Sequence, residues 1–341
     1  FDWLAAGAAR LAGGSAWRLL ALVYGVGVLV TAFLSNDATA VVLTPAVAAA
    51  ARSARAAKPL PFLLACALVA NAASFVLPIS NPANLVIYGG HMPPLLTWLE
   101  LYALPSVAAI VATFLVLALT QRRSLADPIE SNIGLPALGS GGRTTAWALV
   151  AMAVVLTLAS ALDVRLGWPT FLAGVAATAV VLLRKREAPW AVIRDVSWSV
   201  LPLVAGLFVL VQAIDDTGLL ARLTDLLRAF VERSELLTAW GTGSLVAVAC
   251  NLMNNLPAGL IAGEVVQAAQ VPPSVAGAAL IGVDLGPNLS VTGSLATILW
   301  LVALRRDGQD VGAWAFLRLG IIAMPSALLL ALAALLVPRL L

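Results

Sequence analysis

Charge is scarce in this chain. Only 11% of its 341 residues are Asp, Glu, Lys or Arg, under half of the quarter or so that a soluble domain carries. A fold wetted on all sides needs more charge than that, so a water-soluble class is excluded. Histidine occurs once, at His91, and cysteine twice, at Cys66 and Cys250, in separate apolar segments without CxxC spacing. That scarcity suggests neither a zinc site nor a disulfide framework: no metal, no cofactor and no catalytic residue are expected, and both cysteines read as ordinary buried ones. His91, beside Met92-Pro93-Pro94, reads as a solvated loop residue. Neither GxSxG nor HExxH occurs, so an intramembrane hydrolase lacks its nucleophile and base.

What is abundant is apolar surface. Hydrophobic residues make up 61% of the chain, mean hydropathy is +0.99, and stretches such as Leu19–Leu34 and Ala146–Leu162 reach the length that crosses a hydrocarbon core of about 30 Å. The net charge of +3 does not mark a nucleic-acid face. Its cations sit in short clusters between apolar segments: Arg52/Arg55/Lys58, Arg122/Arg123, Arg184/Lys185/Arg186 and Arg305/Arg306. Cytoplasmic loops have that pattern. The chain reads as a multi-pass protein of a bacterial inner (plasma) membrane, partnered by the lipid bilayer. Tryptophans near span ends (Trp98, Trp168, Trp190, Trp240) read as interfacial anchors.

Apolar segments run at about 18–50, 60–90, 97–120, 144–161, 169–184, 197–214, 238–267, 275–304 and 311–337. The polar stretch 121–143 is a linker between two halves. Gly218–Arg233 is amphipathic, with Leu219, Leu220, Leu223, Leu226, Leu227 and Phe230 opposite Arg222, Asp225, Arg228 and Glu232, so it should lie along the interface. Phe1–Gly14 is its weaker counterpart.

Two segments are too long for one crossing and too broken for one helix. Residues 18–50 are interrupted at Ser35-Asn36-Asp37-Ala38-Thr39, and 238–267 around Asn251, Asn254, Asn255 and Pro257. Polar breaks at membrane depth are tolerated only inside protein or around a wet cavity, which predicts two helical hairpins, each returning to its own side. The alternative is a kinked helix using polar residues as interhelical glue. The span after each hairpin is interrupted too, at Pro78-Ile79-Ser80-Asn81-Pro82-Ala83-Asn84 and from Gly286 to Ser294. Proline removes an amide donor and glycine loosens the helix. Hairpin, broken span, full span occurs twice, and paired interrupted helices point to a transporter's binding site.

If the first hairpin opens to the cytoplasm, all four cationic clusters fall inside, and His91, Asp163 and Asp215/Asp216 outside. The halves then come out inverted. The organisation is repeat 1 at 1–120, a cytoplasmic linker at 121–143 and repeat 2 at 144–341. A transport domain covers about 18–90 and 238–304, and a scaffold about 97–120, 144–214 and 311–337. The repeat predicts three further helices ahead of Phe1.

Two acids lie deep by this placement, Asp37 at the first hairpin tip and Asp284 before the second break. An ionisable group at that depth is costly, so it is read as functional first, although Asp37 can also be a plain cap on exposed amides. Loss of water disfavours an ionised carboxyl, so both are candidates for proton coupling. Around them gather Ser35, Asn36, Ser80, Asn81 and Asn84 from half one, and Asn254, Asn255, Asn288, Ser290, Thr292 and Ser294 from half two. With half-helix ends, this mostly uncharged set suits a neutral hydroxyl-rich solute or a small cation. It suits a dicarboxylate badly, since no Arg or Lys falls in the four interrupted stretches.

The blocks Ser35-Asn36-Asp37…Leu43-Thr44-Pro45, Ser80-Asn81-Pro82-Ala83-Asn84, Met253-Asn254-Asn255-Leu256-Pro257 and Asp284-Leu285-Gly286-Pro287 through Gly293-Ser294-Leu295-Ala296-Thr297 resemble the arsenite/antimonite efflux permease (ArsB) family of the ion transporter superfamily. The resemblance runs from Phe1 to the C-terminus. It implies an all-α polytopic membrane protein of two inverted repeats with re-entrant hairpins and unwound helices. It also implies secondary active efflux of trivalent arsenic or antimony hydroxide in exchange for protons, and in some relatives a docked cytoplasmic ATPase subunit. A sodium/proton antiporter of the same superfamily, using Asp37, Asn36 and Asn84 as oxygen ligands, is the alternative. A passive channel shares the gating hairpins and would not accumulate cargo uphill. The resemblance also marks two departures. Family members often carry Asp where this chain has Asn71 and Lys where it has Asn288, so if the two positions face each other an acid–base pair has become two amides.

Overall fold

The computed structural model describes residues 1–89, 92–131, 139–162, 167–185, 188–195 and 200–337, with Gly134, Leu135, Ala137, Val164 and Trp198. His91, Asp163 and Arg186, used above for topology, lie outside the described residues. Every regular element among the described residues is helical.

Half one begins with α1 (Asp2–Leu11), capped off from α2 (Ala16–Phe33) by the Ser15 side chain. A single turn, α3 (Asn36–Ala38), a π-helical turn (Thr39–Leu43) and α4 (Thr44–Ser53) follow. Next come α5 (Leu60–Ala72), a 3₁₀ turn (Pro78–Ser80) and α6 (Pro82–Tyr88), then the long α7 (Leu95–Thr120). After the linker come α8 (Ser140–Ala161), α9 (Gly167–Lys185), the short α10 (Trp190–Asp195) and α11 (Val200–Asp215). Half two repeats the order: amphipathic α12 (Leu219–Arg233), α13 (Glu235–Met253) and α14 (Asn255–Ala269), α15 (Pro273–Leu285), a 3₁₀ turn (Gly286–Asn288), α16 (Leu295–Arg306) and α17 (Ala313–Leu336). Among the described residues six helices are long and apolar enough to cross a membrane: α2, α7, α8, α9, α13 and α17.

Contacts at the helix ends fix the topology. Adjacent linker residues touch both ends of the first hairpin: Ile129 N–H donates to the Gly14 carbonyl at 3.0 Å and Glu130 N–H to the Ala54 carbonyl at 2.8 Å. The hairpin therefore returns to the side it left. In half two, α12 packs on both α13 and α14, and Arg228 at its far end donates to the Ala268 carbonyl at the end of α14. The first broken span starts beside its own hairpin's base and ends beside the other's, where Gln267 Nε2 donates to the Ile87 carbonyl at 3.1 Å. The second broken span ends beside the first hairpin's base, where Asp307 pairs with Arg52. The two hairpins thus enter from opposite faces and the two broken spans run antiparallel, which is the inverted repeat. Arg52, Arg55, Lys58 and Arg305 share one face, where Arg55 meets Glu130 at 3.7 Å, Lys58 meets Asp127 at 3.8 Å and Arg305 meets Asp310 at 2.9 Å.

Packing between apolar helices in lipid depends on small residues that let backbones approach. The α13/α15 crossing shows this. A Cβ on Gly243 would stand 2.9 Å from the Ala278 carbonyl, and one on Gly286 2.5 Å from the Ala247 carbonyl and 2.8 Å from Ala247 Cα. These obstacles are backbone and cannot rotate away. Gly286→Ala should lower stability by about 1–3 kcal/mol through overpacking, read as a fall in detergent unfolding temperature. Gly174→Ala, with nothing within 4 Å of its Cβ, should be neutral or slightly stabilising.

Two readings change here. Trp98 is not an interfacial anchor: it is fully buried and its indole N–H donates to the Phe75 carbonyl at 3.1 Å. Burial demands a partner for that N–H, and the unwinding after α5 supplies a free carbonyl. Trp168 and Trp190 are well exposed, as anchors are. The apolar stretch 197–214 is preceded by a separate short helix, α10.

Candidate functional site

The interrupted stretches meet around the centre of the fold. Chain chemistry opens each one. Leu77 and Asn81 are extended because each precedes a proline, Pro78 and Pro82, and pre-proline residues avoid the helical region. At the second hairpin tip Asn254 adopts φ 77°, and its side chain accepts from Leu256 N–H to cap α14. With ψ at 154° this lies outside the left-handed helical region and is strained for any side chain, a cost that the surrounding contacts must hold in place.

The deepest contact joins the two broken spans. Asn81 Nδ2 donates to Asp284 Oδ1 at 2.5 Å, and Asn81 Oδ1 accepts from Ala83 N–H at 3.0 Å. Asp284 is 1% exposed, and its second oxygen, Oδ2, is buried without a hydrogen-bond partner. Beside it, Asn84 Nδ2 donates to the Ser74 carbonyl at 3.0 Å and reaches the Leu77 and Pro78 carbonyls at 3.4 Å, while its Oδ1 is likewise buried and unpartnered. Buried polar atoms are nearly always satisfied, so two orphaned oxygens in one neighbourhood mark places for a proton or a cargo hydroxyl.

A second cluster is complete in itself. Asn71 Nδ2 donates to Asn288 Oδ1 at 2.9 Å, Asn288 Nδ2 to the Leu68 carbonyl at 3.1 Å, and Ser294 Oγ to Asn71 Oδ1 at 3.4 Å. Thr297 closes it against Ser294 at 2.9 Å. All four side chains are at most 1% exposed. The positions of the two departures do face each other. Asn288 and Ser294 hold the crossing together, and their polar atoms are engaged within the protein.

The second hairpin tip is bound to the second break. Asn255 N–H donates to the Gly293 carbonyl at 2.8 Å and Asn254 Nδ2 to the Thr292 carbonyl at 3.1 Å. Ser290 Oγ donates to Asn251 Oδ1 at 2.6 Å and lies 3.2 Å from the Thr292 hydroxyl. Gly293 is obligatory here, because its Cβ would stand 2.5 Å from Pro287 Cα and 2.9 Å from Asn251 Oδ1.

The first hairpin tip is looser. Ser35 caps Ala38 N–H at 3.1 Å, Asn36 Oδ1 accepts from Asp37 N–H at 2.9 Å, and Thr31 and Thr39 bond across the turn at 2.8 Å. The tip packs on α16, and Ser80 Oγ ties the first break to the Ala32 carbonyl at 2.9 Å. The Asp37 carboxylate, half-buried, has no partner among the described residues. Asn36 and Asn255, each 3% exposed, leave side-chain amide groups unengaged at the two tips.

The structure adds supports absent from the candidate set: Ser74, Asn251, Thr31, Thr39 and Thr297. Two carry a spacing cue in the sequence, since Ser74 follows Asn71 by one helical turn and Asn251 precedes Asn255 by one. Cys66 and Cys250 are free and buried, and no cluster of three or more His, Cys, Asp or Glu able to hold a metal occurs among the described residues.

Comparison with known proteins agrees with this architecture. The family described as CitMHS, citrate transporter, matches residues 1–285. The arsenical pump membrane protein of Yersinia enterocolitica is 29% identical, over 98% of this chain and 81% of its own. That of Escherichia coli K12 is 28% identical over the same shares, and a 46 kDa membrane protein of Mycobacterium leprae is 24% identical over 94% and 77%. Among solved structures, the YdaH transporter of Alcanivorax borkumensis superposes with a TM-score of 0.58 at 17% identity, covering 98% of this chain and 83% of that one.

Proposed function

The chain belongs to the citrate transporter (CitMHS) family, and from that premise we propose that it exports the neutral hydroxides of trivalent arsenic and antimony across the inner membrane in exchange for protons. One observation carries this reading: a lone carboxyl, Asp284, sits at the crossing of the two broken spans with one oxygen bonded to the Asn81 amide and the other unpartnered. A carboxyl without a buried cation changes its net charge only by taking up a proton or a cation. The hydroxyls and amides beside it match a small solute that both donates and accepts hydrogen bonds. A multiply charged carboxylate would have to be desolvated against a site holding no Arg or Lys, which is costly, so citrate fits badly. The relatives named as arsenical pumps favour the same cargo.

The cargo lies between the tips, on Asn36, Asn255, Ser290 and Thr292. Asn288 and Ser294 hold the crossing instead. The hairpins and broken spans move as one body against a frame of α7, α8, α9, α11 and α17. Inverted halves give that body two equivalent positions, one open to each side.

The test is arsenite resistance in a sensitive bacterial strain. The protein should restore growth, and Asn255→Ala should lose most of that protection at equal expression. In everted vesicles, arsenite uptake should persist without sodium. Undiminished resistance with Asn255→Ala, or uptake that stops when sodium is removed, refutes the reading.

A further inference from the structure

The halves seat their amphipathic helices differently. α1 presents Ala5, Ala8, Ala9 and Ala12, each at most 4% exposed, and lies flush on α2 and α4. α12 presents Leu223, Leu226, Leu227 and Phe230 instead, and between it and the two arms of the second hairpin a groove of about 620 Å³ stays open. The groove follows α13 from Leu237 to Met253, with Ala258 to Val266 of α14 as its other wall.

Its polar atoms are few and mostly engaged. Thr238 Oγ1 donates to the Ser234 carbonyl at 2.8 Å, and Ser234 Oγ accepts from Leu237 N–H at 3.3 Å. Arg228 is directed to the Ala268 carbonyl and stands 3.6 Å from Asp225. Arg233 is different: it lines the groove at its mouth, at the level where an interfacial helix meets the headgroups, and makes no ion pair among the described residues. An apolar slot with one free guanidinium at its wet end matches an apolar tail under an anionic head. An extended peptide would leave backbone amides unpaired against apolar walls.

We propose that this groove is a binding site for one anionic phospholipid of the bilayer, its acyl chain wedged between α12 and the second hairpin and its phosphate on Arg233. The chain then reaches Met253, the neighbour of Asn254, whose side chain holds the second break. Lipid occupancy thereby braces the hairpin tip. This holds whatever the cargo.

Native mass spectrometry of the purified protein with added phosphatidylglycerol tests it. One phosphatidylglycerol should stay bound, in preference to phosphatidylcholine. A Cβ at Gly241 meets nothing within 4 Å, so Gly241→Leu fills the groove without displacing protein and should abolish retention. Arg233→Gln should weaken it about tenfold or more, the value of a charge-assisted bond. Equal retention in Arg233→Gln, or a Gly241→Leu variant that unfolds at the wild-type temperature yet keeps the lipid, overturns the proposal. So does a change in oligomer mass with no change in bound lipid, which would make the groove a contact between copies.

Discussion

Asp284→Asn should reduce proton-driven arsenite uptake into everted vesicles to background while leaving the protein folded. The substitution keeps shape and keeps an acceptor for the Asn81 amide, which now lies 2.5 Å from Oδ1, so the joint between the two broken spans survives. What it removes is the protonatable oxygen, because an amide NH₂ replaces the unpartnered Oδ2. Coupling is therefore lost and cargo binding is kept. Arsenite counterflow in preloaded vesicles, which needs no proton gradient, should persist. Asp284→Ala is a harsher change: it strands the Asn81 donor in a dry site at about 1–3 kcal/mol and should fall in stability as well as activity. Asp37→Asn, at the half-buried lip, should lower uptake less. If Asp284→Asn drives uptake at the wild-type rate, the coupling group lies elsewhere. If counterflow disappears with it, Asp284 binds cargo as well.

The architecture was legible because lipid is a strict solvent. Asn254-Asn255 and Ser35-Asn36-Asp37 cannot sit in an apolar run unless the chain turns there, and Pro78 and Gly286-Pro287 cannot continue a helix. Composition alone therefore gives two hairpins and two broken spans. The division of labour inside the site was not legible. Ser290 and Asn288 look alike as polar residues beside a break, yet Ser290 stands at the lip while Asn288 is fully buried and bonded across to Asn71. Those partners are more than two hundred residues apart, and no local pattern reports such a contact. Thr31 is a single polar residue in an apolar helix, which periodicity cannot distinguish from interhelical glue. The π-helical turn Thr39–Leu43 was equally silent, although such turns gather at functional sites.

The Asn71–Asn288 pair makes a sharper test of that buried crossing. Asn71→Asp alone should cost about 3–5 kcal/mol, the loss seen when a buried charge is left uncompensated, measurable as a steep drop in unfolding temperature. The environment explains the size: Asn71, Asn288, Ser294 and Thr297 are all at most 1% exposed, so no water reaches the new carboxylate. Asn288→Lys alone should also destabilise, because its ammonium loses the amide oxygen that accepts from Asn71. Together the two substitutions place opposite charges on side chains now 2.9 Å apart, and the double variant should recover most of what either loses. A coupling energy of about 2 kcal/mol or more in that cycle would show that the crossing accepts either a neutral or a charged brace of the same shape. Additive losses would mean that the amides are fitted to the Leu68 carbonyl and Ser294 as much as to each other. The proton-coupled step should survive in the double variant, since Asp284 bonds to Asn81 and to none of these four side chains directly. Restored stability with intact uptake would thus separate the element that holds the two halves together from the one that moves the proton.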